Sequence, residues 1–106
     1  MPLIVEAAKR DLSIVVERGR QKMQDGAYDL AVQQFNLALE VKPGFMQALV
    51  SRGFCHLTLG DEEKAQRDFV EVINKDAGFN RNVYVLLALC CKRSGDFQTA
   101  VRYLNR

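Results

Sequence analysis

Glycine recurs along this chain at an interval of 34 residues. The interval separates three glycine pairs, Gly19 and Gly53, Gly26 and Gly60, and Gly44 and Gly78. Other residue types keep the same step, since Ala31 is followed by Ala65 and Phe35 by Phe69. An internal period of this length is typical of a solenoid in which each period forms one pair of helices.

Each period divides into two segments with helical spacing of apolar residues. Residues 46–59 carry apolar side chains at such spacing and stop at Gly60, and residues 62–75 resume the pattern. The corresponding segments in the other periods are residues 12–24 and 28–41, then 81–93 and the stretch from 97 onward. No stretch alternates as a strand would. The sequence therefore predicts an all-α domain of antiparallel helix hairpins.

Length and composition exclude several classes of protein. The chain has 106 residues, enough for one small domain. Its 15 Lys and Arg against 13 Asp and Glu give a net charge of +2, which argues against binding to nucleic acid or to an anionic membrane. No apolar run approaches the roughly 18 residues of a membrane-spanning helix. The start of the chain has no basic region of the kind that opens a signal peptide.

The cysteines and the single histidine carry no recognisable chemistry. Cys90 and Cys91 are adjacent and Cys55 is the only other cysteine, which argues against a disulfide framework and favours free thiols in the cytoplasm. The chain has no CxxC pair that could bind a metal together with His56, and no nucleophile lies at a catalytic spacing from it. We therefore interpret His56 as a structural residue. We predict no enzymatic activity, no cofactor and no metal. The acidic run from Asp61 to Glu63 is interpreted as the start of a helix.

The spaced positions together resemble the tetratricopeptide repeat (TPR) family. The first repeat matches the 34-residue family motif at Val15, Gly19, Gly26, Tyr28, Ala31, Phe35, Ala38 and Pro43. The second matches it at Leu49, Gly53, Gly60, Ala65, Phe69 and Val72, but has Glu62 in place of the aromatic residue and Ala77 in place of proline. The third matches it at Tyr84, Ala88, Gly95, Phe97, Ala100 and Leu104. The resemblance implies a right-handed solenoid of TPR-like hairpins.

The resemblance also divides the chain. Residues 1–11 are predicted to form a helical lead-in, 12–45 the first repeat, 46–80 the second and 81–106 a third repeat whose second helix is incomplete. The lead-in either continues into the first repeat or breaks near Asp11, a residue suited to a helix N-cap. We expect a fragment of a longer array, or a last face covered by another segment.

In TPR-like solenoids the first helix of each repeat lines a concave groove, and the resemblance assigns particular side chains to it. The predicted peptide-binding residues are Val16, Arg20, Met23, Val50, Phe54, Leu57, Val85, Leu89, Lys92 and Arg93. Seven are apolar, three are cationic and none is a carboxylate, which predicts a protein or peptide ligand that is apolar with an acidic flank. The alternative is a structural segment that self-associates, with its groove or its C-terminal face buried by its own flanking helices or by a second copy.

Some members of the family hold the C-terminal carboxylate of chaperones in a clamp of five polar residues. Those five roles fall on Val16, Arg20, Ser51, Asn82 and Leu86, and none keeps the family residue. The sequence therefore predicts a non-catalytic protein–protein interaction module without this clamp, as part of a larger scaffold or adaptor. The related RNA-reading helical repeats are a rival interpretation, which the small residues at the helix crossings and the low net charge disfavour.

Overall fold

Six α-helices, with no strand, account for the part of the chain that the computed structural model describes, which is residues 2–105 for the backbone and 11–105 for the side chains. The helices are α1 (Pro2–Gln24), α2 (Tyr28–Val41), α3 (Met46–Thr58), α4 (Glu62–Lys75), α5 (Asn82–Arg93) and α6 (Phe97–Leu104). They form three hairpins, α1/α2, α3/α4 and α5/α6, and the all-α prediction is confirmed. The third hairpin is short, because α6 has 8 residues where α2 and α4 have 14 each.

The first helix of each hairpin ends at a glycine in the left-handed backbone region. Gly26, Gly60 and Gly95 have φ values of 78°, 88° and 91°. A residue with a side chain is strained there, whereas glycine is not. In the second hairpin the amide of Asp61, just after the glycine, donates to the carbonyl of His56 at 2.8 Å and closes the helix end. The repeated glycines therefore set the turn inside each hairpin.

Carboxylates begin the second helices of the last two hairpins. Asp61 Oδ1 accepts a hydrogen bond from the Lys64 amide at 3.2 Å, and Asp96 Oδ1 accepts one from the Thr99 amide at 3.2 Å. Each bond satisfies an amide that has no partner within its own helix. The interpretation of the acidic run at Asp61 as a helix start is confirmed.

The lead-in continues into the first repeat. Helix α1 runs from Pro2 to Gln24 without a break at Asp11. Leu3, Ile4, Ala7 and Ala8, which the sequence spaces as one apolar face of the lead-in helix, lie outside the side chains that the structure describes.

Successive helices pack against one another in chain order, as in a solenoid. The molecule is accordingly elongated, measuring 49 × 28 × 17 Å. One core cluster joins the first hairpin to α3 through Phe35, Ala38 and Cys55. A second cluster joins α3 and α4 to α5 through Phe69 and Leu87. The core therefore lies along the interfaces between repeats, and each repeat depends on its neighbour for burial.

Candidate functional site

The predicted groove residues all lie on α1, α3 and α5, which are the first helices of the three hairpins. We call the surface that these ten residues were predicted to form the first-helix face. Two of the ten side chains are buried. Leu57 is 4% exposed and belongs to the core cluster with Val83 and Leu87, and Val16 is 9% exposed in the other cluster. Leu57 is therefore a core residue rather than a ligand contact, which corrects the sequence prediction. The physical reason is that α5, from the following repeat, packs against it.

The exposed apolar side chains of the first-helix face are Val85, Leu89 and Phe54, and Phe54, on the middle of the three helices, is 38% exposed. Its ring packs at a tilt against Tyr28 of α2, with 6.5 Å between ring centroids. Val50 and Met23 are half-buried, and each packs against the core beneath it. Phe54 therefore presents a rigid aromatic surface that is held by the preceding repeat.

Arg20 and Lys92 are exposed cations on the first-helix face. Arg93 is engaged elsewhere, because its Nη1 donates to the carbonyl oxygen of Leu57 at 3.1 Å and lies 3.8 Å from Glu62 Oε1. Arg93 thus ties the third repeat to the second. Sequence reasoning treated it only as a groove cation, because its position in the repeat gives no sign of this cross-repeat bond.

A cleft of about 220 Å³ lies between α1 and the start of α3. Val16 and Arg20, two of the predicted groove residues, line it together with Ser13 of α1 and Gln47 of α3. Glu17 also lines this cleft and adds a carboxylate that the groove prediction lacked. Arg20 and Glu17 give this end of the face both signs of charge.

A partly buried ion pair that sequence analysis missed joins α3 to α4. Arg52 Nε donates to Asp68 Oδ2 at 2.9 Å and its Nη2 to Asp68 Oδ1 at 2.6 Å, while its Nη1 reaches Asn36 Oδ1 of the previous repeat at 2.9 Å. The hydrogen bond to Asp68 raises the pKa of Arg52. The only sign of this ion pair in the sequence was that arginine recurs at the repeat interval, at Arg18 and Arg52.

His56 lies beside this ion pair, in a cleft of about 450 Å³ that Arg52 and Asp68 also line. It is half-buried, and burial lowers its pKa. Because the pKa of its ring lies below the ordinary value of 6.5, His56 is mainly neutral near pH 7.

The three cysteines are free and buried. Burial raises the pKa of the Cys55 and Cys90 thiols to about 11. Although they occupy the same repeat position, Cys55 lies in the core cluster of the first hairpin and Cys90 in the next one.

Within residues 11–105 no three His, Cys, Asp or Glu side chains are grouped so as to hold a metal ion. In the described part of the chain, no helix combines the length and apolar character needed to cross a membrane.

Known structures share this arrangement over nearly the whole chain. The second TPR of Spaghetti (RPAP3) bound to the HSP90 peptide SRMEEVD superimposes with a TM-score of 0.85 and 16% identity over 94% of both chains. The chain has a TPR-like fold. The TPR domain of Arabidopsis FLU matches with a TM-score of 0.83 and 18% identity over 92% of both chains. The secretion chaperone SycD of Yersinia enterocolitica reaches a TM-score of 0.86 with 16% identity over 97% of this chain and 76% of its own.

Sequence comparison finds relatives of the TPR-like chain that are much longer than it is. Outer dynein arm-docking complex subunit 4 of Danio rerio is 31% identical over 101 residues, which are 95% of this chain and 21% of that protein. The subunit from Mus musculus is 31% identical over 81 residues, 76% of this chain and 13% of its own length. This chain therefore spans about a fifth or less of the docking subunits that it matches. No family model matches the sequence.

Proposed function

We propose that this TPR-like chain is a non-catalytic protein-interaction module that binds a peptide or helix on its first-helix face, as part of a larger scaffold or adaptor. The observation that carries the proposal is the exposed ring of Phe54, held in place by Tyr28. A rigid aromatic side chain at a surface is a favourable anchor, because little side-chain entropy is lost when a partner covers it.

The charges beside Phe54 define the ligand that fits. Arg20 and Lys92 are exposed cations on either side of it along the solenoid. A ligand with an apolar residue over Phe54 and Val50, and an acidic residue near Arg20 or Lys92, matches both features. Charged contacts at such a rim contribute mainly to orientation and rate of association, while the apolar contact contributes most of the affinity.

Proteins with the same fold support a peptide as the ligand. The RPAP3 domain is bound to an HSP90 peptide, and SycD has been seen in complex with a peptide of the translocator YopD. The sequence similarity to outer dynein arm-docking subunits favours a place in a docking scaffold. A cytoplasmic location, based on three free thiols, stays part of the proposal.

A peptide-display selection with the 106-residue chain tests this function. We expect selected peptides to combine an apolar residue with acidic ones, and Phe54→Ser to weaken their binding by about tenfold or more. Phe97→Ser is the matched control, because Phe97 is also an exposed aromatic residue but lies on α6. Circular dichroism, which should show the helical spectrum of the parent for both variants, checks that they are folded. Peptides whose binding is unaffected by Phe54→Ser would place the ligand elsewhere and overturn the proposal.

A further inference from the structure

The two loops that join successive repeats carry the same pair of residues. Gly44 and Phe45 lie in the first loop, and Gly78 and Phe79 recur 34 residues later in the second. Both phenylalanines line a cleft of about 280 Å³ beside the start of α3, which we call the edge cleft. None of the ten predicted groove residues lines it, so the edge cleft is separate from the first-helix face.

Phe79 is an exposed aromatic residue in the interior of the chain. Its side chain is 40% exposed and belongs to none of the core clusters. It lies between α4 and α5, and it stays exposed with both of these helices in place. Phe45, in contrast, is half-buried and packs against the core of the first hairpin. The edge cleft thus has one anchored aromatic side chain and one that a ligand would cover.

Two lysine side chains end at the edge cleft. Lys42 Nζ lies 5.0 Å from the centroid of the Phe45 ring, at the distance of a cation–π contact. The side chain of Lys75 reaches from the end of α4 to Gly44, where an added Cβ would meet its Nζ and Cε atoms. Gly44 lines the cleft and has a φ of 76°, so both its backbone conformation and the contact with Lys75 favour glycine there.

The positive charge of this cleft is not neutralised by ion pairs. Among the side chains of residues 11–105, neither Lys42 nor Lys75 forms an ion pair with a carboxylate. Asp76 follows Lys75 in the chain, but its Oδ1 accepts a hydrogen bond from the Gly78 amide at 3.0 Å within the second loop. The start of α3 adds positive potential, because Phe45 at its N-cap offers no side-chain acceptor to the first amides of the helix.

We propose that the edge cleft binds a peptide segment of a partner protein in which an aromatic residue is flanked by acidic residues. The aromatic side chain lies against Phe45 and Phe79, and the carboxylates face Lys42 and Lys75. Charge complementarity selects the acidic residues, and the two phenylalanines select the aromatic one.

The shape of the surface favours a peptide over a small molecule. The cleft, at about 280 Å³, is small for a drug-sized ligand but takes a single large side chain. Phe45 and Gln47 line it and also line the cleft between α1 and α3, so the surface continues beyond the edge cleft on that side. An extended segment follows such a surface, whereas a small molecule fills one enclosed cavity.

Three short labelled peptides test the chemistry of the ligand. The first has one phenylalanine flanked on both sides by aspartates, within a glycine and serine background. The second has lysines in place of the aspartates, and the third has serine in place of the phenylalanine. We expect fluorescence anisotropy with the 106-residue chain to show that the first binds at least about tenfold more tightly than either control. Added salt should reduce the difference between the first and the second, because it screens the charges.

Variants of the chain locate the first peptide. Phe79→Ser should weaken its binding about tenfold, and Phe54→Ser is the matched control, because Phe54 is 38% exposed but lies on the first-helix face. Lys75→Gln should weaken the binding several-fold, whereas Lys64→Gln should not, since Lys64 is an exposed lysine of the same helix that does not line the cleft. Circular dichroism should give the parent spectrum for all four variants.

Three results would overturn the inference. Equal binding of the first and third peptides would show that charge alone holds them. Binding of the first peptide that Phe79→Ser leaves unchanged would place it elsewhere on the surface, whether or not Phe54→Ser affects it. A dimer of the unmodified chain that both Phe79→Ser and Phe97→Ser dissociate in sedimentation would make the occupant a second copy, since Phe97 is an exposed aromatic residue beside Asp96.

Discussion

A Cβ atom added to Gly53 of α3 would lie 2.7 Å from Cε1 of Phe69 on α4. Phe69 is fully buried, so its ring has no free space into which to move. The ring therefore occupies the space that a side chain at residue 53 would need. The first hairpin repeats the relationship, since a Cβ on Gly19 would lie 2.6 Å from Cε1 of Phe35. Glycine at these two positions therefore lets the first helix of each hairpin approach the aromatic ring on the second.

Gly53→Ala is expected to destabilise the protein. Alanine in a helix gains about 0.5–1 kcal/mol over glycine, but overpacking a core costs about 1–3 kcal/mol, so the expected net loss of unfolding free energy centres on about 1 kcal/mol. Urea denaturation measures it. In a Phe69→Leu background the same substitution should cost much less, because the ring that it meets is gone. A Gly53→Ala protein that is more stable than the parent in the presence of Phe69 contradicts the contact.

Removing one partner of the Arg52–Asp68 ion pair should be costly. Asp68 is 5% exposed, and Arg52→Met leaves its carboxylate without its cation, at a cost of about 1–3 kcal/mol in unfolding free energy. Arg67→Met is the matched control, since its pair with Glu63 at 2.8 Å is exposed and worth less than about 1 kcal/mol. Thermal or urea unfolding of both variants gives the comparison. Equal losses would show that the Arg52 pair contributes no more than a surface pair.

Alkaline pH should destabilise the fold through its thiols. The pKa of Cys55 and Cys90 is raised from 9.0 to about 11 in the folded protein, so the unfolded chain releases these protons first as the pH rises. Their contribution to stability is complete below pH 9 and is lost towards pH 11, at about 1.4 kcal/mol per pH unit and thiol.

The measurement for the thiols is urea denaturation at several pH values. A Cys55→Ala, Cys90→Ala variant is less stable at pH 7 because of the cavities it creates, but its stability should fall less steeply above pH 9. The rest of the chain is the same in the two proteins, so its contribution cancels in the difference. Identical slopes would mean that the thiols ionise alike in both states.

The chain should not bind the chaperone peptide that the RPAP3 domain holds. Val16 and Leu86 stand at two of the five clamp positions, and Val16 is largely buried. Isothermal titration with SRMEEVD is expected to give a dissociation constant weaker than about 1 mM, with the RPAP3 domain as the positive control. Low-micromolar binding that Arg20→Gln abolishes would show that Arg20 alone replaces the clamp.

The fold was predictable because its signals are local and repeated. Gly60 ends one helix and Asp61 starts the next through bonds to neighbouring amides, and both effects depend on adjacent residues alone. The site was less predictable. Leu57 has a groove position by its place in the repeat, yet α5 buries it, and Arg93 has a groove position yet donates to Leu57. The position of a residue within the repeat specifies the side of the helix on which its side chain lies. Whether that side chain is buried depends on the helix that follows.

Local signals along the chain specify the secondary structure and its period. The signals are the spacing of glycines, the residues that start helices and the alternation of small and large residues. Each has its effect within one helical turn or one helix crossing, so it can be recognised from the order of residues along the chain. The tertiary structure decided which side chains remain available to a partner. Phe54 stays exposed while Leu57, three residues later on α3, is in the core. The reason is that exposure depends on atoms brought together from distant repeats, and no single repeat contains that information.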